Sequence, residues 1–364
     1  MDGQKTVRHS LWPRLTGWLK RHRERIYFGI ALVVIIGAGL GVLDYLKAGA
    51  DYPPPTNSLS VAPKKKEPPK FYSPLTGELV PNEAATKRQV TAIMIENSTS
   101  ARPQSGLKAA GVVFEAIAEG GITRFVALYQ NSRPGLIGPV RSVRPYFVEW
   151  LAPFDSAVAH IGGSKRALDM VRGGTFKDID QFFNAQAYWR ATDRYAPHNV
   201  YTSFDKLDAL NAAKGYVSSS FSGFPRKPDK PSPQPTATKI QMDISSGLYN
   251  VSYLYNPSDN NYLRFQGGQP HLDREAGQLA PKVAIAIKVP MSLGFEDGWR
   301  EQINTIGSGQ AYVFQDGTVT EGTWRKTGVK DQIQFLDPAG KAIQLNAGQT
   351  WITAVPNNKT VSWQ

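Results

Sequence analysis

Ile26 to Leu43 is an unbroken run of 18 uncharged, mostly apolar residues, close to the roughly 20 that an α-helix needs to cross the hydrocarbon core of a bilayer. It divides the chain into a short basic tail and a long body that lies wholly on the other side. Lys5, Arg8, Arg14, Lys20, Arg21, Arg23 and Arg25 precede the run against Asp2 and Glu24, whereas Asp44, Lys47 and Asp51 follow it. By the positive-inside rule the N-terminus is cytoplasmic and the bulk of the chain extracytoplasmic, in a single-pass arrangement. Ala48-Gly-Ala50 also suits signal cleavage, but the run exceeds the roughly 7 to 15 residues of an ordinary signal core. An uncleaved anchor over residues 26–46 is expected, and either outcome exports the body.

The net charge of +12 is concentrated near that anchor. The tail and the lysines at 47, 64, 65, 66 and 70 carry about two thirds of the excess, a placement suited to anionic lipid inside and wall polyanions outside. It argues against nucleic acid, for which no binding motif is present. Cysteine is absent, which excludes disulfides, thiolate chemistry, Cys-based zinc sites and a lipidated N-terminal cysteine.

Proline marks two breaks. Residues 47–71 hold Pro53, Pro54, Pro55, Pro63, Pro68 and Pro69 together with the lysine run, an extended linker that reaches about 70 Å at roughly 3 Å per residue. Residues 223–238 hold Pro225, Pro228, Pro231, Pro233 and Pro235 and read as an interdomain linker or a long surface loop. The expected organisation is tail 1–25, anchor 26–46, linker 47–71, a mixed α/β domain 72–222, linker 223–238 and a smaller β-rich domain 239–364. The fold class is therefore α+β behind a transmembrane helix.

In the first half, Val90 to Glu96, Val112 to Ala118 and Ile122 to Gln130 read as strands, the last two joined by Gly120-Gly121. Ser142 to Leu151 reads as a helix with Ser142 at its N-cap and Pro145 in its first turn. A short strand, Ala157 to Ile161, leads through Gly162 and Gly163 into a helix from Ser164, and Asp205 to Ala213 is a further helix. The second half is a series of strands with an Asp316-Gly317 hairpin turn, suited to a compact sheet or barrel.

Five glycine-punctuated motifs between Arg102 and Asn199 carry the chemistry-bearing side chains. Glycine permits close backbone approach while neighbouring ionisable groups supply charge and proton transfer, so one composite site is expected. Glu115 and Glu119, four apart, are expected on one face, with Arg124, Arg141 and Arg144 as the nearest partners; a buried Glu–Arg network and a ligand-binding carboxylate pair are both open readings. Arg141 and Arg144 bracket a helix start, where they hold an anion or pair with the glutamates. His160 ends a strand before the Gly162-Gly163-Ser164 turn, a usual ligand position in α/β sheets, and His198 lies in the Pro197-His198-Asn199 turn just after Arg190 and Arg194. Candidate catalytic groups are Glu119, His160 and His198. Candidate ligand-binding groups are Arg102, Gln104, Ser105, Glu115, Arg124, Arg141, Ser142, Arg144, Gly162, Gly163, Ser164 and Asn199. Neither metal-ligand spacing nor a nucleophile elbow is present, and no cofactor is expected.

These stretches, namely Ser73-Pro-Leu-Thr-Gly77, Arg102-Pro-Gln-Ser-Gly-Leu107, Glu119-Gly-Gly-Ile-Thr-Arg124, Gly138-Pro-Val-Arg-Ser142 with Arg144, His160-Ile-Gly-Gly-Ser164 and Ala196-Pro-His-Asn199, resemble the DUF3048 family of bacterial envelope proteins. Gly307-Ser-Gly309, Asp316-Gly317, Gly322-Thr-Trp324 and Gly348-Gln-Thr-Trp351 resemble its C-terminal domain. The resemblance spans about residues 72 to 356 and implies an exported, membrane-tethered two-domain protein with no reaction attached. Lipoprotein members are held by a lipidated cysteine, for which this chain substitutes its apolar helix. The expected partners are the cytoplasmic membrane and a cell-wall polymer or wall-synthesis protein. Two functions follow: binding of an anionic wall ligand through an Arg/Glu/His cleft, or hydrolysis or transfer on a wall glycan or phosphodiester with Glu119 and His160 as acid and base.

Overall fold

The computed structural model describes residues 22–48 and 69–364. Most of the basic tail and of the first linker lies outside them. Helix α1, Arg23–Ala48, contains the apolar run and is long and apolar enough to span a bilayer. Residues 69–364 fall within a compact unit of their own.

That unit is built on a sheet of 12 strands among the described residues. The first half supplies β1 (Thr91–Glu96), β2 (Val112–Glu119), β3 (Ile122–Tyr129), β4 (Ala157–Ala159) and β5 (Lys177–Asp178). The second half supplies β6 (Val283–Val289), β7 (Met291–Phe295), β8 (Arg300–Ile303), β9 (Gly307–Gln315), β10 (Thr318–Lys326), β11 (Gln334–Leu336) and β12 (Thr350–Pro356). The order is β11-β10-β9-β6-β12-β2-β3-β1-β4-β5, with the β7–β8 hairpin attached to β2 through β8. Strands from both sides of residues 223–238 thus share one sheet. Their junction is β12, which lies parallel to β6 on one side and to β2 on the other. Other second-half strands, including Lys239–Met242, Val251–Asn256 and Asn261–Gln266, form a five-stranded sheet.

The central strands are covered on both faces, which is why β2, β3 and β6 read as nearly continuous apolar runs. On one face Met94, Phe114 and Val126 pack against Phe147 and Trp150 of α2 (Pro145–Leu151), and Phe114 stacks on Trp150 at 5.5 Å. On the other face Ile95, Val113, Phe125 and Trp351 pack with Phe204 and Leu207 of the helix Phe204–Ala213. Each such side chain contributes about 1.5–3 kcal/mol of burial.

One local expectation needs correction. Helix α2 starts at Pro145 and not at Ser142: the residue before a proline is driven out of the α region, and Arg144 sits at φ −131°, ψ 153° as the N-cap. Ser142 instead donates its hydroxyl to the Ile161 carbonyl. Part of the stretch 223–238, read as an interdomain linker or a long surface loop, is pinned to the body. Arg226–Lys227 pairs in parallel with Leu345–Asn346, and the Arg226 guanidinium donates to the carbonyls of Leu75 and Asn346 and to Thr350. Beside it, a Cβ added at Gly223 would lie 1.7 Å from the Pro74 carbonyl oxygen. Gly223→Ala is therefore expected to destabilise the body by about 1–3 kcal/mol through forced backbone separation, read as a lower urea midpoint.

Candidate functional site

The five motifs gather near one end of β1–β4, but the sheet divides their side chains between its two faces. The cause lies in β2. Its register with β3 shifts between Ile117 and Glu119, a bulge that turns the strand by one residue. Glu115 consequently engages Thr123 whereas Glu119 engages Arg124, and consecutive residues of a strand point to opposite faces. The expectation that the two glutamates share a face is overturned by this bulge.

On the first face six buried side chains close a ring. Asn97 donates to Thr123 Oγ1 at 2.6 Å, and Thr123 donates to Glu115 at 3.2 Å. Arg264 donates to Glu115 at 2.9 Å and, through Nε, to His271 Nδ1 at 2.9 Å. His271 must then carry its proton on Nε2, which donates to Gln104 Oε1 at 3.0 Å, and Gln104 returns to Asn97 Oδ1 at 2.9 Å. Trp351 Nε1 and Thr353 also donate to Glu115, and Arg264 lies over the Trp351 ring at 4.3 Å. Burial, then the charges of Arg264 and Arg102, push His271 well below its ordinary range, consistent with the neutral ring that the hydrogen bonds require. Arg102 closes on Asn97 at 3.1 Å and on the Leu248 carbonyl. Glu115, Arg102 and Gln104 therefore knit the two halves together. The partner of Glu115 is Arg264, 149 residues away in the chain.

On the second face Glu119 accepts from Arg124 at 2.6 Å and from Arg144 at 2.7 Å, one carboxylate oxygen to each. Arg124 also donates to the Ser142 carbonyl and Arg144 to that of Val143. Burial alone would raise the Glu119 carboxyl, but the two guanidiniums outweigh it and hold the group at about 2. Burial and the adjacent Arg124 charge pull Arg144 down to about 10.

His160 is fully buried just beyond β4. Its Nδ1 lies 2.8 Å from the Gly162 carbonyl and its Nε2 lies 3.0 Å from Asp178, with Asp180 bonded to the Gly162 amide. Gly162 needs its glycine, at φ +61°; at Gly163 a Cβ would stand 2.7 Å from the Val143 side chain. Ser164 opens the helix Lys165–Arg172 without capping it through its side chain. Ser105 is tied by backbone bonds to Gly138. The hydroxyls of Ser105 and Ser164 are buried without a partner among the described residues.

A fourth group lies at the sheet edge. His198 Nδ1 is 2.9 Å from Glu96 Oε1, with Ser98 Oγ at 3.2 Å on its flank, and Arg141 Nε approaches the same carboxylate oxygen at 3.4 Å. His198 and Arg141 are each about one quarter exposed whereas Glu96 is 4% exposed. Asn199 pins the adjoining loop through the carbonyls of Ala191 and Arg194 and accepts from Arg190. The structure brings Arg141, His198 and Asn199 into this neighbourhood, but Glu119 and His160 belong to separate networks. Glu96 was missed by the sequence reading; its signal was an acid placed at the end of an apolar strand, immediately before Asn97 and Ser98.

Two family profiles match the chain: the DUF3048 "Protein of unknown function" N-terminal domain over residues 75–217 and its C-terminal domain over residues 240–352. A Bacillus subtilis (strain 168) protein described as "Putative lipoprotein YerB" is 33% identical over 300 residues, covering 79% of this chain and 87% of the relative. The crystal structure of the YerB protein from Bacillus subtilis matches with a TM-score of 0.72 at 31% identity, covering 80% of this chain and all of that one.

Proposed function

This chain belongs to the DUF3048 family, and from that membership we propose that it is a membrane-tethered protein of the bacterial envelope whose extracytoplasmic body holds an anionic wall ligand at the Glu96–Arg141–His198 edge. Attachment is supported by α1 and by the lipoprotein description of the relative. The positive-inside bias of the flanks supports a cytoplasmic N-terminus.

One observation carries the ligand reading. Both carboxylate oxygens of Glu119 and both ring nitrogens of His160 are already engaged, whereas Arg141, about one quarter exposed, has an Nε with no hydrogen-bond partner among the described residues. Arginine beside a partly exposed histidine suits a carboxylate or phosphate.

The test is co-sedimentation of the full-length chain, in detergent, with isolated bacterial cell walls. Arg141→Ala is expected to weaken retention about tenfold, the worth of one charge-assisted hydrogen bond. Undiminished retention in that variant defeats the reading. Release of soluble wall fragments that disappears in Glu119→Gln would instead favour the hydrolase reading.

A further inference from the structure

Three described histidines lie in the body, and hydrogen bonding separates them sharply. His271 has both ring nitrogens engaged, by Arg264 and Gln104. His160 has both engaged, by Gly162 and Asp178. His198 alone among them has an Nε2 that makes no hydrogen bond to the described residues, while its Nδ1 faces the buried Glu96.

A carboxylate that accepts from Nδ1–H fixes the ring orientation and the tautomer, and leaves the Nε2 lone pair free to take a proton. The supports of this pair come from the fold. Glu96 is held at the end of β1 by the hydrogen bond its backbone N–H donates to the Pro139 carbonyl, and its own carbonyl accepts from Gln104. A second observation points to a ligand: Glu96 is 4% exposed, yet its Oε2 has no partner among the described residues, and Arg141 Nε, though 3.4 Å from Glu96 Oε1, makes no hydrogen bond to them. The cluster thus presents a base, a buried acceptor and a cationic donor in one place.

We propose that His198, positioned by Glu96, is a general base for the hydrolysis of carboxylic esters, with Arg141 as the donor to the carbonyl oxygen. In the step, a water oxygen bonds to the ester carbonyl carbon while His198 Nε2 takes a proton from that water. The carbonyl electron pair moves onto its oxygen, where Arg141 stabilises the charge. As the pair returns, the bond to the alcohol oxygen breaks, and that oxygen takes the proton back from Nε2. The products are a carboxylic acid and an alcohol, and no oxidant or further reactant is needed. The proposal goes beyond wall binding and requires only that an ester carbonyl reach the same edge.

The experiment uses the full-length chain in dodecyl maltoside with p-nitrophenyl acetate. Wild type is expected to release p-nitrophenol about a hundredfold faster than His198→Gln, the ordinary contribution of a general base. Glu96→Gln, acting through the ring orientation, is expected to lower kcat with KM nearly unchanged. A His198→Gln variant that melts like wild type and keeps its rate overturns the proposal, as does a wild-type rate no higher than that of free imidazole. Diethyl pyrocarbonate with peptide mass mapping is an independent readout: His198 is expected to be modified while His160 and His271 are protected, and an unmodified His198 overturns the assignment. Ester turnover and wall retention are separate assays, so failure of one does not decide the other.

Discussion

Glu115→Gln is expected to cost about 3–5 kcal/mol, the range for breaking a buried ion pair, and to lower Tm by about 10 °C for a body of this size. Glu115 and Arg264 are both fully buried. Thr123, Arg264, Trp351 and Thr353 all donate to the carboxylate. An amide of the same shape turns a donor against one of those donors and leaves the guanidinium without its counter-charge. The damage also spreads, because Arg264 positions His271, which in turn holds Gln104. Glu115→Leu combined with Arg264→Met is expected to recover part of the loss relative to Glu115→Leu alone, since no unpaired charge then remains. Thermal denaturation of the two single variants and the double variant measures that coupling; strict additivity would show that the pair does not act as a unit.

The second large effect concerns acid. The Glu119 carboxyl is held at about 2 against an ordinary 4.5. A group whose folded value is depressed contributes stability that is fully present above its unfolded value and is lost as pH falls through the folded one. Wild type is therefore expected to lose about 3 kcal/mol from this group alone between about pH 4.5 and pH 2. Glu119→Gln removes that slope. At neutral pH the variant starts lower, because Arg124 and Arg144, only 3% and 5% exposed, face each other with no carboxylate between them. Urea midpoints across the acid range distinguish the two behaviours: a slope in Glu119→Gln equal to that of wild type would assign the acid sensitivity to other carboxylates.

Much of the architecture is written in local pattern. The β2–β3 hairpin follows from two apolar runs around Gly120 and Gly121, and α1 from an uncharged run of spanning length. The start of α2 was also readable, since Pro145 forbids a helical Arg144. Other features depend on pairings that neighbouring residues do not announce. The bulge before Glu119 arises only when β2 and β3 are laid side by side, and it decides which face each glutamate takes. Arg264 was visible as an arginine on the buried face of an alternating strand, between Tyr262 and Gln266, but nothing local says which acid it meets. The glycine-rich motifs converge near one end of the sheet. They did not separate side chains that stitch the sheet together from those left with open hydrogen-bonding groups.

The position of β12 has a consequence for how such a chain is made. Thr350–Pro356 sits between β6 and β2 as the strand that joins the two halves of the sheet, yet it is synthesised long after β2. Synthesis from the N-terminus delivers β2 first, so β2 waits without its parallel neighbour until Thr350–Pro356 has been made. Long-range pairing of this kind is slow and leaves apolar edges exposed in the interim. The sheet thereby reports on the completeness of its own synthesis: a product cut short before Thr350 lacks its central seam and stays open to proteolysis.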